Sequence, residues 1–89
     1  MERWYKMFIY IGNELVIKSK NIVAILEADL IHDSRRLMHI VREHEENNKL
    51  FGQKAGAKSL VLTDEGIYCS PLSRLTLKNR DELYEATTD

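Results

Sequence analysis

The stretch Lys58–Ser73, KSLVLTDEGIYCSPLS, constrains this chain more than any other. Two short apolar runs, Leu60-Val61-Leu62 and Ile67-Tyr68-Cys69, flank Asp64-Glu65-Gly66, and Pro71 closes the second run. Gly66 is free to take the positive φ that a short hairpin turn demands. Apolar runs rich in β-branched and aromatic residues on either side of such a turn predict a tight hairpin.

Upstream, Met7-Phe8-Ile9-Tyr10-Ile11 reads as a strand, Gly12-Asn13 breaks it, and Leu15-Val16-Ile17 resumes it. A second hairpin around a Gly-Asn turn fits this pattern. Met7 is a possible start of the folded part, with Met1–Lys6 an N-terminal extension. Ile22-Val23-Ala24-Ile25-Leu26 is short, continuous and β-branched, which favours a central strand buried on both faces over the competing reading, a buried helix segment. From Asp33 the period changes. Leu37, Ile40, Val41 and His44 fall at i, i+3, i+4 and i+7, one face of a helix. Asp33 or Ser34 can cap it by accepting from a free backbone N–H. Arg42 with Glu46, and His39 with Glu43, are spaced as i,i+4 pairs. Asn47-Asn48 weakens the helix, and Leu50–Ala57, with Gly52 and Gly56, reads as a loop. After Pro71, the spacing of Leu72, Leu75 and Leu83 suits a short terminal helix packed back on the sheet, followed by a flexible tail over residues 84–89.

The fold expected is therefore α+β: a small, mostly antiparallel sheet with one main helix and a short C-terminal helix. With 89 residues and no long linker, one domain is expected. A chain of this length buries roughly two-thirds of its unfolded surface, a thin margin that self-association would widen. Hydrophobic and charged contents of 44% and 30% suit a soluble globular protein. No stretch approaches a membrane span or a signal sequence, so the expected location is the cytoplasm. The single cysteine, Cys69, excludes an intrachain disulfide and reads as a small buried hydrophobe.

Catalytic motifs are missing: there is no P-loop, GxGxxG, HExxH or CxxC. Gly52–Ser59 resembles a phosphate loop superficially, but its Lys-Ser pair does not follow the second glycine directly. His39 and His44, five apart, diverge on a helix, and His32 and His39, seven apart, share a face only if the helix begins early, so the histidines do not suggest converging metal ligands. No cofactor, metal, membrane or small-molecule substrate is implied, and the chain does not read as an enzyme. The acids Glu43, Glu45, Glu46, Asp81, Glu82 and Glu85 read as solvated faces.

The net charge of −1 gives no general support to polyanion binding, so any such activity must be local. Asn47–Thr63 carries Lys49, Lys54 and Lys58 and no acid; Arg74, Lys78 and Arg80 form a second basic group, and Lys18 with Lys20 a third. Gln53, Lys54 and free glycine N–H groups in one loop could contact phosphates. A few such contacts bind DNA feebly in a monomer. In a closed ring the patch repeats on every subunit, and contacts add along one DNA molecule.

Specific segments carry a family resemblance. Lys58-Ser59-Leu60-Val61-Leu62-Thr63, Ile67-Tyr68, Ser70-Pro71-Leu72-Ser73, and Thr76-Leu77-Lys78 with Arg80 resemble the RemA/RemB family of bacterial extracellular matrix (biofilm) regulators. So do Met7–Gly12 and Ile22–Ile25. The match is closer to the RemB (YaaB)-like branch and covers about Met7 to Arg80, the tyrosine-x-Ser-Pro-Leu-Ser segment being its most specific part. The resemblance implies a LytTR-like α+β subunit that forms ring-shaped homo-oligomers and regulates transcription by binding double-stranded DNA. It implies DNA contacts from an arginine at the start of the third strand, here Lys20 or Asn21. It implies others from an arginine pair after a loop glycine, here Gln53 and Lys54 if Gly52 is that glycine, and from a basic position matched by Lys58. The arginine pair is thus Gln-Lys in this chain. Lysine lacks the planar fork of arginine and glutamine brings no charge, so weaker DNA affinity or a shifted role is expected. A non-enzymatic scaffold that binds a protein partner is the alternative.

Overall fold

In the computed structural model of the chain the structure describes residues 8–86, with side chains to residue 80. The proposed extension Met1–Lys6, the strand start at Met7, the packing of Leu83, and residues 87–89 of the expected tail lie outside the described parts. The order of elements is β1 (Phe8–Gly12), β2 (Leu15–Lys18), a 3-10 turn (Ser19–Asn21), β3 (Ile22–Glu27), α1 (Leu30–Asp33), α2 (Arg35–Glu46), β4 (Leu50–Phe51), β5 (Ser59–Thr63), β6 (Ile67–Ser70) and α3 (Arg74–Ala86). The α+β class expected from the sequence is the class observed.

β5 and β6 form the expected antiparallel hairpin, with Leu60 opposite Cys69 and Val61 opposite Tyr68. They are the two inner strands of a four-stranded sheet of order β3-β5-β6-β4. Successive side chains leave a strand on opposite faces. Val61 therefore joins Ile9, Ile11, Ile17 and Leu77 in one core. Leu60, Ile67 and Cys69 join Val41 in a second core on the other face. The β1–β2 hairpin and α3 cover the first face, and α1 with α2 cover the second. The result is three layers, with β5 and β6 as the wall that both cores share.

The turn between β5 and β6 is closed by Thr63. Its backbone N–H and hydroxyl both donate to the Gly66 carbonyl at 2.8 Å. The same hydroxyl accepts from Glu65 and Gly66 N–H at 3.1 Å. Gly66 has φ +154°, and close approach is what requires glycine there: a Cβ would lie 2.5 Å from the Lys49 carbonyl oxygen. The first hairpin turns one residue later than its Gly-Asn signal indicates. Asn13 and Glu14 occupy the turn at φ 52° and 63°, the signs of a type I′ turn, while Gly12 sits at a register shift.

Three sequence expectations are corrected. Ile22–Leu26 is not a central strand. It is the edge strand β3, paired on one side only among the described residues, and Val23 is 73% exposed. A continuous β-branched run cannot report how many neighbours a strand acquires. Leu50-Phe51, expected in a loop, forms the short strand β4, parallel to β6. In α3 the inward residue is Leu77, fully buried, and Leu75 points to solvent. The capping expectation resolves to Ser34, whose hydroxyl accepts from Leu37 N–H at 3.1 Å. His39 pairs with Glu43 at 3.5 Å, whereas Arg42 makes no ion pair among the described residues.

The Ser70-Pro71-Leu72-Ser73 segment docks the first hairpin on the sheet. Ser70 is fully buried; its hydroxyl donates to the Ile11 carbonyl at 2.6 Å and accepts from Leu72 N–H at 3.0 Å. Ser59, its cross-strand partner, donates to the Leu72 carbonyl at 2.7 Å. Gly12 clears Pro71, since a Cβ there would lie 2.8 Å from the proline ring. Ser73 then caps α3 by accepting from Thr76 N–H.

Two outcomes are expected in urea unfolding. Ser70→Ala leaves the Ile11 carbonyl buried without this donor and lowers stability by about 1–3 kcal/mol. Glu14→Gly removes a side chain from the left-handed region and raises stability by up to ~1 kcal/mol.

Candidate nucleic-acid interface

The cations singled out in the sequence are placed at the ends of the sheet by the strands they adjoin. Lys20 lies in the 3-10 turn ahead of β3, exposed. The neighbouring Asn21 carbonyl accepts from Asp64 N–H, so this turn abuts the tip of the β5–β6 hairpin. Lys49 reaches the same end from the opposite edge, because its carbonyl accepts from Ile67 N–H. Lys58 immediately precedes β5 at the other end, where its N–H donates to the Ser70 carbonyl. β5 runs between the two ends, a rise of roughly 13 Å over Ser59–Thr63. Within one chain, then, Lys20 is not gathered with Lys54 and Lys58. The acid-free stretch that held Lys49, Lys54 and Lys58 together in sequence is divided between both ends.

The loop from Gly52 to Lys58 is exposed apart from half-buried Ala57. Gly52 takes φ +87° against the Cys69 carbonyl, where a Cβ would lie 2.8 Å away. Gln53 borders a shallow hollow with Asn13, Glu14 and Leu15 of the first hairpin. Lys54 leans the other way. Its Nζ donates to Glu45 Oε1 of α2 at 3.1 Å, with the two side chains 57% and 50% exposed. Local sequence reads Glu45 as solvated and carries no signal for this pair, because the contact joins a helix face to a loop across β4.

Beneath the pair runs a groove of about 390 Å³ between α1, α2 and the loop, with Leu60, Val41 and Cys69 at its base and Arg42, Glu45 and Lys54 among its polar lining. Cys69 is 1% exposed, as its sequence neighbours suggested. Burial pushes its thiol above the ordinary range; the Lys54 ammonium pulls it down and the Glu45 carboxylate raises it further.

The second basic group is largely committed to structure. Arg74 Nε donates to the Ile25 carbonyl on edge strand β3 at 3.0 Å. Arg80 donates to the Tyr10 carbonyl at 2.9 Å and stacks over the Tyr10 ring. The two arginines thus tie α3 to β3 and β1. The histidines are likewise placed locally: His44 Nδ1 meets the Ile40 carbonyl at 2.8 Å, His39 faces Glu43, and His32 lies exposed on α1. No helix among the described residues is long and apolar enough to cross a membrane.

Fold and surface together describe a small three-layer α+β protein with exposed lysines at both ends of one sheet, Lys20 and Lys49 at one and Lys58 at the other. The chain belongs to the RemA-like family, described as extracellular matrix regulatory protein A-like, whose family model matches residues 8–80. It is similar to Extracellular matrix regulatory protein B of Bacillus subtilis (strain 168), with 34% identity over 77 residues that cover 83% of this chain and 89% of that protein.

The raised thiol sets a pH expectation. The unfolded chain ionises Cys69 at lower pH than the folded chain does. Its contribution is therefore fully present below the ordinary thiol value and declines as pH rises above about 8.5. Native protein should react slowly with a thiol reagent, and Cys69→Ala should flatten the decline in stability measured by denaturant titration above that pH.

Proposed function

We propose that this chain is a cytoplasmic, homo-oligomeric, DNA-binding transcriptional regulator of extracellular matrix genes. Membership of the RemA-like family supports the regulatory role. The observation that carries the DNA reading is the exposed, acid-free loop Gly52–Lys58, which presents Gln53, Lys54 and Lys58 beside free glycine backbone. Lysine ammonium groups there take phosphate as point charges, and Gln53 adds a hydrogen bond without charge. Lys20 supplies a second contact at the far end of the sheet.

The division of these cations favours an assembly over a monomer. One subunit offers two small cationic sites separated by the length of β5. A ring of subunits repeats them, and successive phosphates of one duplex then meet successive copies. Selectivity comes from duplex shape and deformability and needs no base-edge contact.

A protein-binding scaffold is the second reading, and one observation favours it specifically: Lys54 is already paired with Glu45, and Arg74 and Arg80 serve the chain's own backbone. These commitments reduce the cation available to phosphate.

Fluorescence anisotropy on duplex DNA over a salt series separates the readings. Binding that weakens with salt, and falls about tenfold or more in Lys54→Ala/Lys58→Ala, is expected because each lost phosphate contact repeats on every subunit. No binding at low salt, or binding indifferent to that substitution, together with capture of a defined protein partner, selects the scaffold. Light scattering should give a mass several times that of one chain; a monomeric mass at working concentration removes the argument from repetition.

A further inference from the structure

We propose that Glu45 governs how strongly this protein binds DNA, by holding the Lys54 ammonium until a phosphate displaces it. The proposal rests on the DNA-binding reading above and assigns its regulation to one carboxylate on α2.

Lys54 Nζ reaches Glu45 Oε1 at 3.1 Å, and both side chains are about half exposed, so a phosphate can approach the pair from solvent. Glu45 stands in the last turn of α2 beside Glu46, at the negative end of the helix dipole. Glu43 is partly engaged by His39 one turn earlier, which leaves Glu45 as the acid that meets the loop. Lys54 is therefore held by a carboxylate, although Arg42 lines the same groove, and DNA must compete with that carboxylate for the ammonium. A lysine ammonium is a compact charge on a flexible stem, which suits exchange between two anions without rearrangement of the fold.

The loop is built so that the exchange costs little backbone strain. Its far end is fixed by Lys58 N–H on the Ser70 carbonyl. Gly52 and Gly56 bracket Lys54, and the space around Gly56 is open. Within the loop, one backbone bond, Ala57 N–H to the Lys54 carbonyl, preserves the local turn. The side chain can swing from Glu45 to a phosphate while these bonds persist.

A single exposed ion pair is worth little. Repetition changes its weight. When each subunit must give up the same pair to engage one DNA molecule, the small factors multiply. Charge at Glu45 then sets overall affinity more steeply than one contact suggests.

The test measures duplex-DNA affinity by anisotropy at fixed low salt and across a salt series. It compares wild type with Glu45→Gln, Glu46→Gln, Lys54→Ala and the double variant Glu45→Gln/Lys54→Ala, all at equal assembly mass by light scattering. Glu46→Gln removes the same charge from the same helix end without touching Lys54. The expected result is that Glu45→Gln tightens binding by about threefold to tenfold. Glu46→Gln changes it much less, and the double variant binds like Lys54→Ala alone. Equal gains in Glu45→Gln and Glu46→Gln, a gain that survives loss of Lys54, or no gain in Glu45→Gln overturns the proposal while leaving DNA binding standing. No binding by any of the five proteins at low salt overturns the DNA-binding reading itself, and the proposal with it.

Discussion

Everything in this fold leans on the pairing of β5 with β6. The two strands are the inner members of the sheet, and each sends side chains into both cores: Val61 and Tyr68 to one face, Leu60, Ile67 and Cys69 to the other. Neither core closes without the other, because the wall between them is only one strand thick. Coupling of this kind suits a short chain. Burial on two faces draws more stabilisation from each strand residue than a two-layer arrangement would. It also explains why the inner strands read as continuous apolar runs, since every position on them is buried or half-buried.

One end of that wall is sealed by hydroxyl groups. Ser59 and Ser70 sit opposite each other, fully buried, and spend their donors on the Leu72 and Ile11 carbonyls. Buried polar groups must be paired to be tolerated, and these pairs bring β1 and the approach to α3 onto the sheet. Pro71 against Gly12 completes the joint. The segment that carries the family resemblance most specifically is thus a joint between layers. Its serines and proline hold the first hairpin in place and leave the charged loops free to differ.

Those loops do differ from the arginine pattern that the resemblance implies. The cations available here are lysines, and one of them is paired internally. Two arginines that looked like part of a basic surface are consumed by α3, one on the exposed edge of β3 and one on β1. Arg74 occupies an edge carbonyl that a further strand would otherwise use, a common way of blunting a sheet edge. The surface that remains is weakly cationic and divided. Neither end of the sheet concentrates the charge.

Local sequence determined the elements whose signals are short in range. The β5–β6 hairpin, the break at Gly12-Asn13, the amphipathic face of Leu37, Ile40 and Val41, the cap at Ser34 and the burial of Cys69 all follow from period, turn chemistry and side-chain type within a few residues. The sequence also named the loop Gly52–Lys58 as the place where chemistry would sit. Tertiary structure alone decided the rest. It made Ile22–Glu27 an edge strand, recruited Leu50-Phe51 as a parallel strand, and turned Leu77 inward in place of Leu75. It separated Lys20 from Lys54, joined Lys54 to Glu45, and tied Arg74 and Arg80 to backbone carbonyls of β3 and β1. Each of these depends on which distant segment becomes a neighbour. A periodic pattern records which faces of an element are apolar; it does not record what lies across from them.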